Sequence, residues 1–241
     1  MELIIEKDYN ALSKAAAKIV KEEIENKPNL ILGLATGSTP VGLYEELIKM
    51  HKESGLDFSK AMSFNLDEYV GIEDNHPNSY RYFMEEALFK HINIDSKNTF
   101  VPNGKAENPE KYCKEYDRLI EEKGGIDLQI LGIGENGHIA FNEPGEELNL
   151  NTSVVELTES TIQANSRFFD SIEEVPKTAI SMGIGSIMKA KKIVLLANGK
   201  KKADAIKKLL KADKITTNLP ASILLLHPNL TIILDEEAYR G

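Results

Sequence analysis

The sequence is poor in the features that mark secreted and membrane proteins. Its single cysteine among 241 residues is Cys113, so the chain cannot form an internal disulfide, and we expect a packed, unreactive thiol. No apolar run approaches the ~20 residues that a transmembrane helix needs. The segment Met1–Glu6 lacks the basic start and small-residue cleavage site of a secretory signal. These absences predict a soluble cytoplasmic protein with no membrane attachment.

Basic residues are too few for a nucleic-acid surface. The chain has 29 Lys and Arg against 38 Asp and Glu, a net charge of −9, whereas a phosphate backbone demands clustered positive charge. An anionic ligand would therefore need a local site built from backbone N–H groups and a few cations. Metal binding is not expected, because the histidines are scattered without ligand-pair spacing. They are His51, His76, His91, His138 and His227.

Strand and helix patterns alternate along the whole chain, as short apolar runs and as longer segments with one apolar face. The predicted strands are Leu30–Ala35, Met62–Leu66, Ile126–Ile133, Val154–Leu157, Ala179–Met182, Ile193–Ala197 and Leu230–Leu234. The predicted helices include Ala11–Glu25, Ser79–Lys90 with Asn78 as its cap, Pro109–Glu122, a stretch near Glu159–Phe169, and Lys201–Lys211. This order predicts a single α/β domain over residues 1–241, with a doubly wound, mostly parallel sheet flanked by helices, as in Rossmann-like folds.

Polar clusters follow several of the predicted strands. In open α/β sheets, ligands bind beyond the carboxyl ends of the strands, so these clusters are the candidate site. They are Thr36–Thr39, Asp67–Tyr69, Gly134–Glu143 and Asn198–Lys202.

The first cluster, the turn Thr36-Gly37-Ser38-Thr39, lies between a predicted strand and a helix. Glycine lets the backbone approach an anion closely, the hydroxyls add donors, and the start of a helix presents free N–H groups. Pro40 suits the first helical turn. No Gly-Lys-Ser/Thr follows, so the turn is not a Walker A loop. The turn is predicted to bind phosphate, and a plain strand-to-helix connection is the alternative.

The segment Gly132–Gly137 satisfies the G-x-G-x-x-G pattern of dinucleotide-binding loops. Such a loop must open a helix, and here Pro144 and Gly145 would end one within a few residues. We therefore interpret the segment as part of a catalytic loop. Imidazole titrates near neutrality and a nearby carboxylate can orient it, so His138 and Glu143 are a candidate acid–base pair.

Two further features supply carboxylates and cations. Asp67 and Glu68 are adjacent, and adjacent side chains usually point in different directions, so at most one is expected to remove a proton from carbon. A solvated turn is the alternative. Arg167, between aromatic residues, and Lys202, at a predicted helix start, are candidate phosphate ligands. The two lysines before Lys202 compete for its role.

These segments together resemble the glucosamine-6-phosphate deaminase family, part of a wider group that includes 6-phosphogluconolactonases. The resemblance extends over nearly the whole chain, and the pair FNLDEYVG and GHIAFNEP is specific to the deaminases. Its segments are LGLATGSTP (Leu32–Pro40), FNLDEYVG (Phe64–Gly71), HPNSY (His76–Tyr80), GIGENGHIAFNEPG (Gly132–Gly145), ANSRFF (Ala164–Phe169) and LHP (Leu226–Pro228).

The resemblance implies conversion of glucosamine 6-phosphate to fructose 6-phosphate and ammonia, with no metal or organic cofactor. Asp67 would move a proton between C2 and C1, and His138, oriented by Glu143, would assist ring opening. A mobile lid is implied at roughly 155–182. The phosphate site would comprise Gly37, Ser38, Thr39, Arg167 and Lys202, beside Thr36 of the same turn.

Two positions depart from the family pattern. Some members carry Asp where this chain has Asn136, a further catalytic candidate whose neutral amide could orient His138 but supplies no charge. Members activated by an acetylated amino-sugar phosphate carry basic residues near Ser153 and Val155, which are not basic here. Such activation is therefore not expected.

Several alternatives remain open at this stage. A galactosamine-6-phosphate deaminase would differ only at C4 of its substrate. A 6-phosphogluconolactonase would use a related phosphate site for ester hydrolysis, without needing Asp67. A non-catalytic regulator that binds sugar phosphates would need only the phosphate turn. The oligomeric state is also open, with a monomer preferred over a homo-oligomer.

Overall fold

The structure, a computed structural model, describes residues 1–166, 169 and 171–241. The strands in these residues are β1 Glu2–Glu6, β2 Ile31–Leu34, β3 Met62–Asn65, β4 Asp67–Tyr69, β5 Thr99–Phe100, β6 Leu128–Gly132, β7 Ser153–Glu156, β8 Thr178–Ser181, β9 Lys192–Ala197 and β10 Leu230–Asp235. Within this part of the chain, seven of them form one parallel sheet in the order β1-β10-β9-β6-β2-β3-β5. The predicted fold class, an α/β fold on a mostly parallel sheet, is confirmed.

Helices cover both faces of this sheet. The helices in the described residues are α1 Tyr9–Asn26, α2 Val41–Ser54, α3 Tyr80–Ala87, α4 Pro109–Glu122, α5 Glu159–Asn165, α6 Ile184–Met188, α7 Ala203–Leu210 and α8 Glu236–Arg240. In β9, Val194 and Leu196 pack into the core under α1 and α2, whereas Ile193 and Leu195 pack into the core under α4 and α7. Because both faces are covered, the central strands read as continuous apolar runs, which is what made them recognisable.

Two of the predicted strands are present as β7 and β8, but they lie outside the parallel sheet. With β4 they form a separate antiparallel sheet in the order β4-β8-β7. The residues of β7 are half-buried or exposed, so this strand is packed on one side only. Antiparallel sheets tolerate such one-sided packing, whereas a central parallel strand does not.

Some helix and strand boundaries also differ from the prediction. The cap of α3 is Ser79, not Asn78, because the Ser79 side chain accepts the Tyr82 N–H. The predicted helix over Ser79–Lys90 ends at Ala87 and continues as a short 3₁₀ turn. Strand β1 was missed, because its short apolar run is flanked by glutamates and lies at the sheet edge, paired only with β10.

Two other sequence predictions can be compared with the structure. The side chain of Cys113 is buried in α4, which confirms a packed thiol, and burial raises its pKa to about 11. Among the described residues, no helix is both long enough and apolar enough to cross a membrane.

Candidate active site

The predicted polar clusters come together at one end of the parallel sheet. They follow β9, β6, β2 and β3, which are consecutive neighbours in the sheet. After the central strand β2, the next strands along the chain, β3 and β5, lie on one side of it. The chain then crosses to the other side of β2, where β6, β9 and β10 follow in order. The crevice where strand order reverses is the standard ligand position in such sheets. The fold therefore gathers residues that are up to about 165 positions apart in the sequence.

The turn Thr36–Thr39 connects β2 directly to the start of α2. Gly37 has a φ of +93°, a conformation that favours glycine, and a methyl group there would meet no atom of the described residues within 4 Å. Helix α2 begins after Pro40 without a side-chain cap. Backbone N–H groups at an uncapped helix start can hold an anion, so the geometry suits the predicted phosphate site.

Tyr9 supports this turn and was missed by the sequence analysis. Its phenol oxygen lies 3.0 Å from the carbonyl oxygens of Ser38 and Thr39, and it accepts the N–H of Gly42 at 2.8 Å. One side chain from α1 thus ties the turn to the first residues of α2. No local pattern indicated this contact, because Tyr9 is about 30 residues away in the chain.

Asp67 lies where the chain leaves the parallel sheet and enters the small antiparallel one. It is the first residue of β4, pairs with Ser181 of β8, and is only 6% exposed. Burial, reinforced by the neighbouring Glu68 carboxylate, raises the pKa of Asp67 to about 8. A buried carboxylate with a pKa near neutrality is suited to taking and returning a proton.

Glu68 has a structural role instead. Its Oε1 accepts the N–H groups of Tyr69 and Tyr80 at 2.9 and 3.0 Å, and its Oε2 accepts the N–H of Arg81 at 2.9 Å. Burial raises the pKa of Glu68 to about 7, and these three donors oppose that rise. Because both oxygens are used to cap the start of α3, the expectation that the two adjacent acids differ in role is consistent with their contacts.

The glycine-rich loop after β6 forms a tight turn and not a helix. Gly134 N–H donates to the carbonyl of His138 at 2.9 Å, and Gly137 N–H donates to the carbonyl of Gly134 at 3.0 Å. The His138 ring lies over Gly134, where a methyl group would be 2.4 Å from the ring atom Cε1. The rejection of a dinucleotide site therefore agrees with the loop geometry.

Glu143 is held beside the imidazole by several donors. Its Oε1 lies 3.0 Å from Nδ1 of His138 and 2.5 Å from Oγ1 of Thr161, and its Oε2 accepts the Asn136 amide at 2.6 Å. Burial opposes ionisation, but these donors, His138 first, outweigh it and hold the pKa of Glu143 below its usual value. The predicted pair of His138 and Glu143 is thus brought together.

The contacts of Asn136 show how its amide could orient the imidazole, as expected from the sequence. Its Nδ2 donates to Glu143, and its Oδ1 accepts the backbone N–H of His138 at 3.1 Å. The amide therefore acts on the carboxylate and on the backbone, because its side chain folds back across the turn. Its effect on the ring passes through Glu143.

The candidate phosphate cations are placed unequally. Lys202 ends a 3₁₀ turn directly before α7 and is half-buried, whereas Lys200 and Lys201 are exposed. The turn is braced by Asp235, whose carboxylate accepts the N–H of Gly199 at 3.0 Å. This arrangement favours Lys202 over its neighbours. Arg167 lies outside the described residues.

A parallel sheet whose strand ends carry an anion-sized turn, a buried aspartate and a histidine–glutamate pair defines a class: an α/β enzyme with acid–base chemistry at the sheet's carboxyl edge. Among the described residues, no group of three or more His, Cys, Asp or Glu side chains is placed to hold a metal ion.

Comparison with known proteins gives the family. A family model described as glucosamine-6-phosphate isomerases/6-phosphogluconolactonase matches residues 6–232. A glucosamine-6-phosphate deaminase of Thermoanaerobacter pseudethanolicus is 59% identical over 99% of this chain and 94% of that protein. The chain belongs to this family.

Solved structures agree with this assignment. The structure of a monomeric glucosamine-6-phosphate deaminase is 45% identical, covers 99% of this chain and 98% of that chain, and has a TM-score of 0.96. A 6-phosphogluconolactonase from Trypanosoma cruzi is 20% identical, covers 100% of this chain and 96% of that chain, and has a TM-score of 0.79. The second likeness is one of fold alone.

Proposed function

We propose that this chain isomerises and deaminates glucosamine 6-phosphate, giving fructose 6-phosphate and ammonia. The observation that carries the proposal is the presence, at one sheet edge, of two carboxylates whose pKa values are shifted in opposite directions. Burial raises the pKa of Asp67, and hydrogen bonding lowers that of Glu143. Such divergence is typical of sites that carry out two different proton transfers. The identity to a deaminase over nearly the whole chain supports the substrate.

Phosphate binding is assigned to the turn after β2 and to two cations. The backbone N–H groups around Gly37 and the hydroxyls of its neighbours would hold the phosphate oxygens at the start of α2. Lys202 and Arg167 would supply the positive charge that the acidic chain otherwise lacks. The remaining ligands of this proposed site are Thr36, Ser38 and Thr39.

The first chemical step is the opening of the pyranose ring. His138 takes the proton of the C1 hydroxyl and returns a proton to the ring oxygen as the C1–O5 bond breaks. Glu143, at 3.0 Å from Nδ1, orients the imidazole and stabilises its positive charge. Asn136 holds the other carboxylate oxygen.

The second step is proton transfer between carbons. Asp67 removes the C2 proton, the electron pair of the C–H bond forms the C1=C2 double bond of an enolamine, and the C1 carbonyl oxygen takes a proton from the ammonium group of the substrate. Reprotonation at C1 gives a ketimine, which water hydrolyses to the ketose and ammonia. Approach of a positively charged substrate amine lowers the pKa of Asp67, so the carboxylate ionises when it is needed.

Two assignments extend this proposal. We expect a monomer, as in the 45% identical deaminase, and light scattering of the purified protein would test it. We also expect hyperbolic kinetics without activation by N-acetylglucosamine 6-phosphate. A sigmoidal rate curve that this compound straightens would contradict that expectation. The cytoplasmic location and the lid at roughly 155–182 stay predictions.

The decisive test is ammonia release from glucosamine 6-phosphate by the parent protein and by Asp67→Asn. We expect activity in the parent and a loss of roughly 10²–10⁴-fold in the variant, the usual effect of removing a general base. Galactosamine 6-phosphate and 6-phosphogluconolactone are assayed in parallel. Hydrolysis of the lactone without any ammonia from either amino sugar would overturn the proposal.

A further inference from the structure

Thr161 makes a contact with the acid–base pair that neither the sequence pattern nor the family resemblance assigned. It lies on α5, is 6% exposed, and places its Oγ1 2.5 Å from Oε1 of Glu143. The two residues are 18 positions apart in the chain and belong to different segments. A buried hydroxyl this close to a carboxylate is a hydrogen-bond donor, because an ionised carboxylate can only accept.

The start of α5 sets the direction of this bond. Thr158 caps the helix by accepting the N–H of Thr161 at 3.3 Å, and its hydroxyl lies 3.2 Å from the hydroxyl of Thr161. With Thr158 donating to that oxygen, the Thr161 proton is directed to Glu143. The helix cap and the contact to the carboxylate thus reinforce each other.

The far end of α5 is attached to the other half of the site. The Asn165 amide donates to the Tyr69 hydroxyl at 2.8 Å, and Tyr69 is in the same short strand as Asp67. Tyr80 also donates to that hydroxyl at 3.2 Å. Helix α5 therefore contacts Glu143 at one end and, at the other end, Tyr69, which is two residues from Asp67.

We propose that Thr161 is a positioning residue, which from its place on α5 holds Oε1 of Glu143 within 3.0 Å of Nδ1 of His138. The inference rests on the proposed function and deepens it. Oε1 serves two partners at once, Thr161 and His138, so removing the threonine donor leaves that oxygen free to turn away from the ring. Asn136, which holds only Oε2, cannot replace the lost bond.

Thr161→Val tests the proposal, because valine keeps the shape and removes the hydroxyl. We expect kcat for ammonia release to fall ~10-fold, the effect of losing one hydrogen bond to a charged group. KM for glucosamine 6-phosphate should change by less than ~2-fold. With one donor fewer, Glu143 holds its proton more tightly, so the acidic limb of the kcat profile should move up by roughly 0.5–1 pH unit. Among the described residues, His138 is the titratable group that contacts Glu143.

Two further variants separate positioning from stability. Thr161→Ser keeps the hydroxyl and should restore both kcat and the pH profile. Thr152→Val removes a similar bond outside the site, where Thr152 Oγ1 donates to Asp117 at 2.6 Å. It should lower the melting temperature without moving the pH profile. A valine variant with an unchanged profile, or a serine variant as impaired as valine, would overturn the proposal.

A measurement without substrate distinguishes failure of this inference from failure of the proposed function. The pKa of Glu143 can be followed by NMR of its side-chain carboxyl carbon in the parent and in Thr161→Val. We expect a higher pKa in the variant. A parent protein that releases no ammonia would refute the proposed function. The change in the pKa of Glu143 would still show that Thr161 contacts that carboxylate. An equal pKa in both proteins would refute the positioning role even in an active enzyme.

Discussion

The imidazole of His138 lies directly over Gly134, and a methyl group on that glycine would be 2.4 Å from Cε1 and 2.5 Å from both ring nitrogens. Such distances are shorter than any van der Waals contact, so the ring can occupy its place only because residue 134 has no side chain. The glycine therefore sets the position of Nδ1 relative to Glu143.

Gly134→Ala should push the imidazole away from Glu143 and reduce kcat by roughly 10²-fold, since small displacements of catalytic groups carry large costs. Gly33→Ala is the matched control, because its methyl group would also meet a side chain, Gln129, at 2.0 Å, but inside the sheet. The control should lose stability while its kcat per folded molecule stays unchanged. Equal loss of kcat in both variants would show that steric strain alone is responsible.

Asp67→Asn should have a higher free energy of unfolding than the parent protein, and the difference should grow as the pH rises. In the folded state burial raises the Asp67 pKa to about 8, whereas the unfolded chain has the ordinary value of about 4. Between these values the folded state holds a proton that the unfolded state has lost, so stability falls with rising pH. The neutral amide avoids this cost. We expect a gain on the order of 2–4 kcal/mol in the free energy of unfolding at pH ~8 and little gain at pH ~4.

Urea unfolding of parent and variant across this pH range measures the difference. Asp117→Asn controls for the general effect of removing an acid. The Asp117 side chain is only half-buried, and its carboxylate accepts the N–H and the hydroxyl of Thr152. That control should destabilise the protein. A gain for Asp67→Asn that is the same at every pH would contradict the assigned cause.

Glu68 should behave differently from its neighbour, although both are buried acids. Glu68→Ala leaves three backbone N–H groups without their acceptor and should lower the free energy of unfolding by about 2–4 kcal/mol. Glu68→Gln keeps one acceptor oxygen and should cost less. Denaturant unfolding distinguishes them, and kcat per folded molecule should fall far less than in Asp67→Asn. An alanine variant of unchanged stability would refute the capping role.

The central strands and their mostly parallel sheet could be predicted from the sequence, because strands buried on both faces leave continuous apolar runs such as Ile193–Ala197. The placement of Asp67, His138 and Glu143 at the carboxyl edge of the sheet could also be predicted, since each lies at a strand end or in a glycine-rich loop, and their roles in catalysis stay predictions. The contacts of Tyr9 and Thr161 were not, because each joins segments that only the folded chain brings together. The local sequence pattern likewise could not assign β7 and β8 to a separate sheet, since the residues of a strand do not identify the strand with which it pairs.

Asn136→Asp should shift the pH dependence of catalysis. The substitution would place a second carboxylate at the position of the amide, which is 2.6 Å from Oε2 of Glu143. Two carboxylates this close share a proton and release it only at higher pH. The acidic limb of the kcat profile should therefore move up. Asn108→Asp adds the same charge at the cap of α4, where a carboxylate caps equally well, and should leave the profile unchanged. Identical profiles for parent and Asn136→Asp would mean that residue 136 does not influence the proton on Glu143.

Tyr9→Phe should weaken substrate binding while leaving the chemical steps intact. The hydroxyl joins the carbonyls of Ser38 and Thr39 to the N–H of Gly42, so its loss loosens the proposed phosphate turn without touching the acid–base groups. We expect KM to rise roughly 5–10-fold with kcat within ~2-fold, the signature of binding lost equally in the ground and transition states. Tyr116→Phe is the control, because that hydroxyl also lies between two carbonyls, of Asn65 and Phe100, away from the turn. It should reduce stability and leave KM unchanged. A Tyr9→Phe variant with a lower kcat and an unchanged KM would mean that the turn stabilises the transition state and not only the bound substrate. That result would contradict a purely binding role.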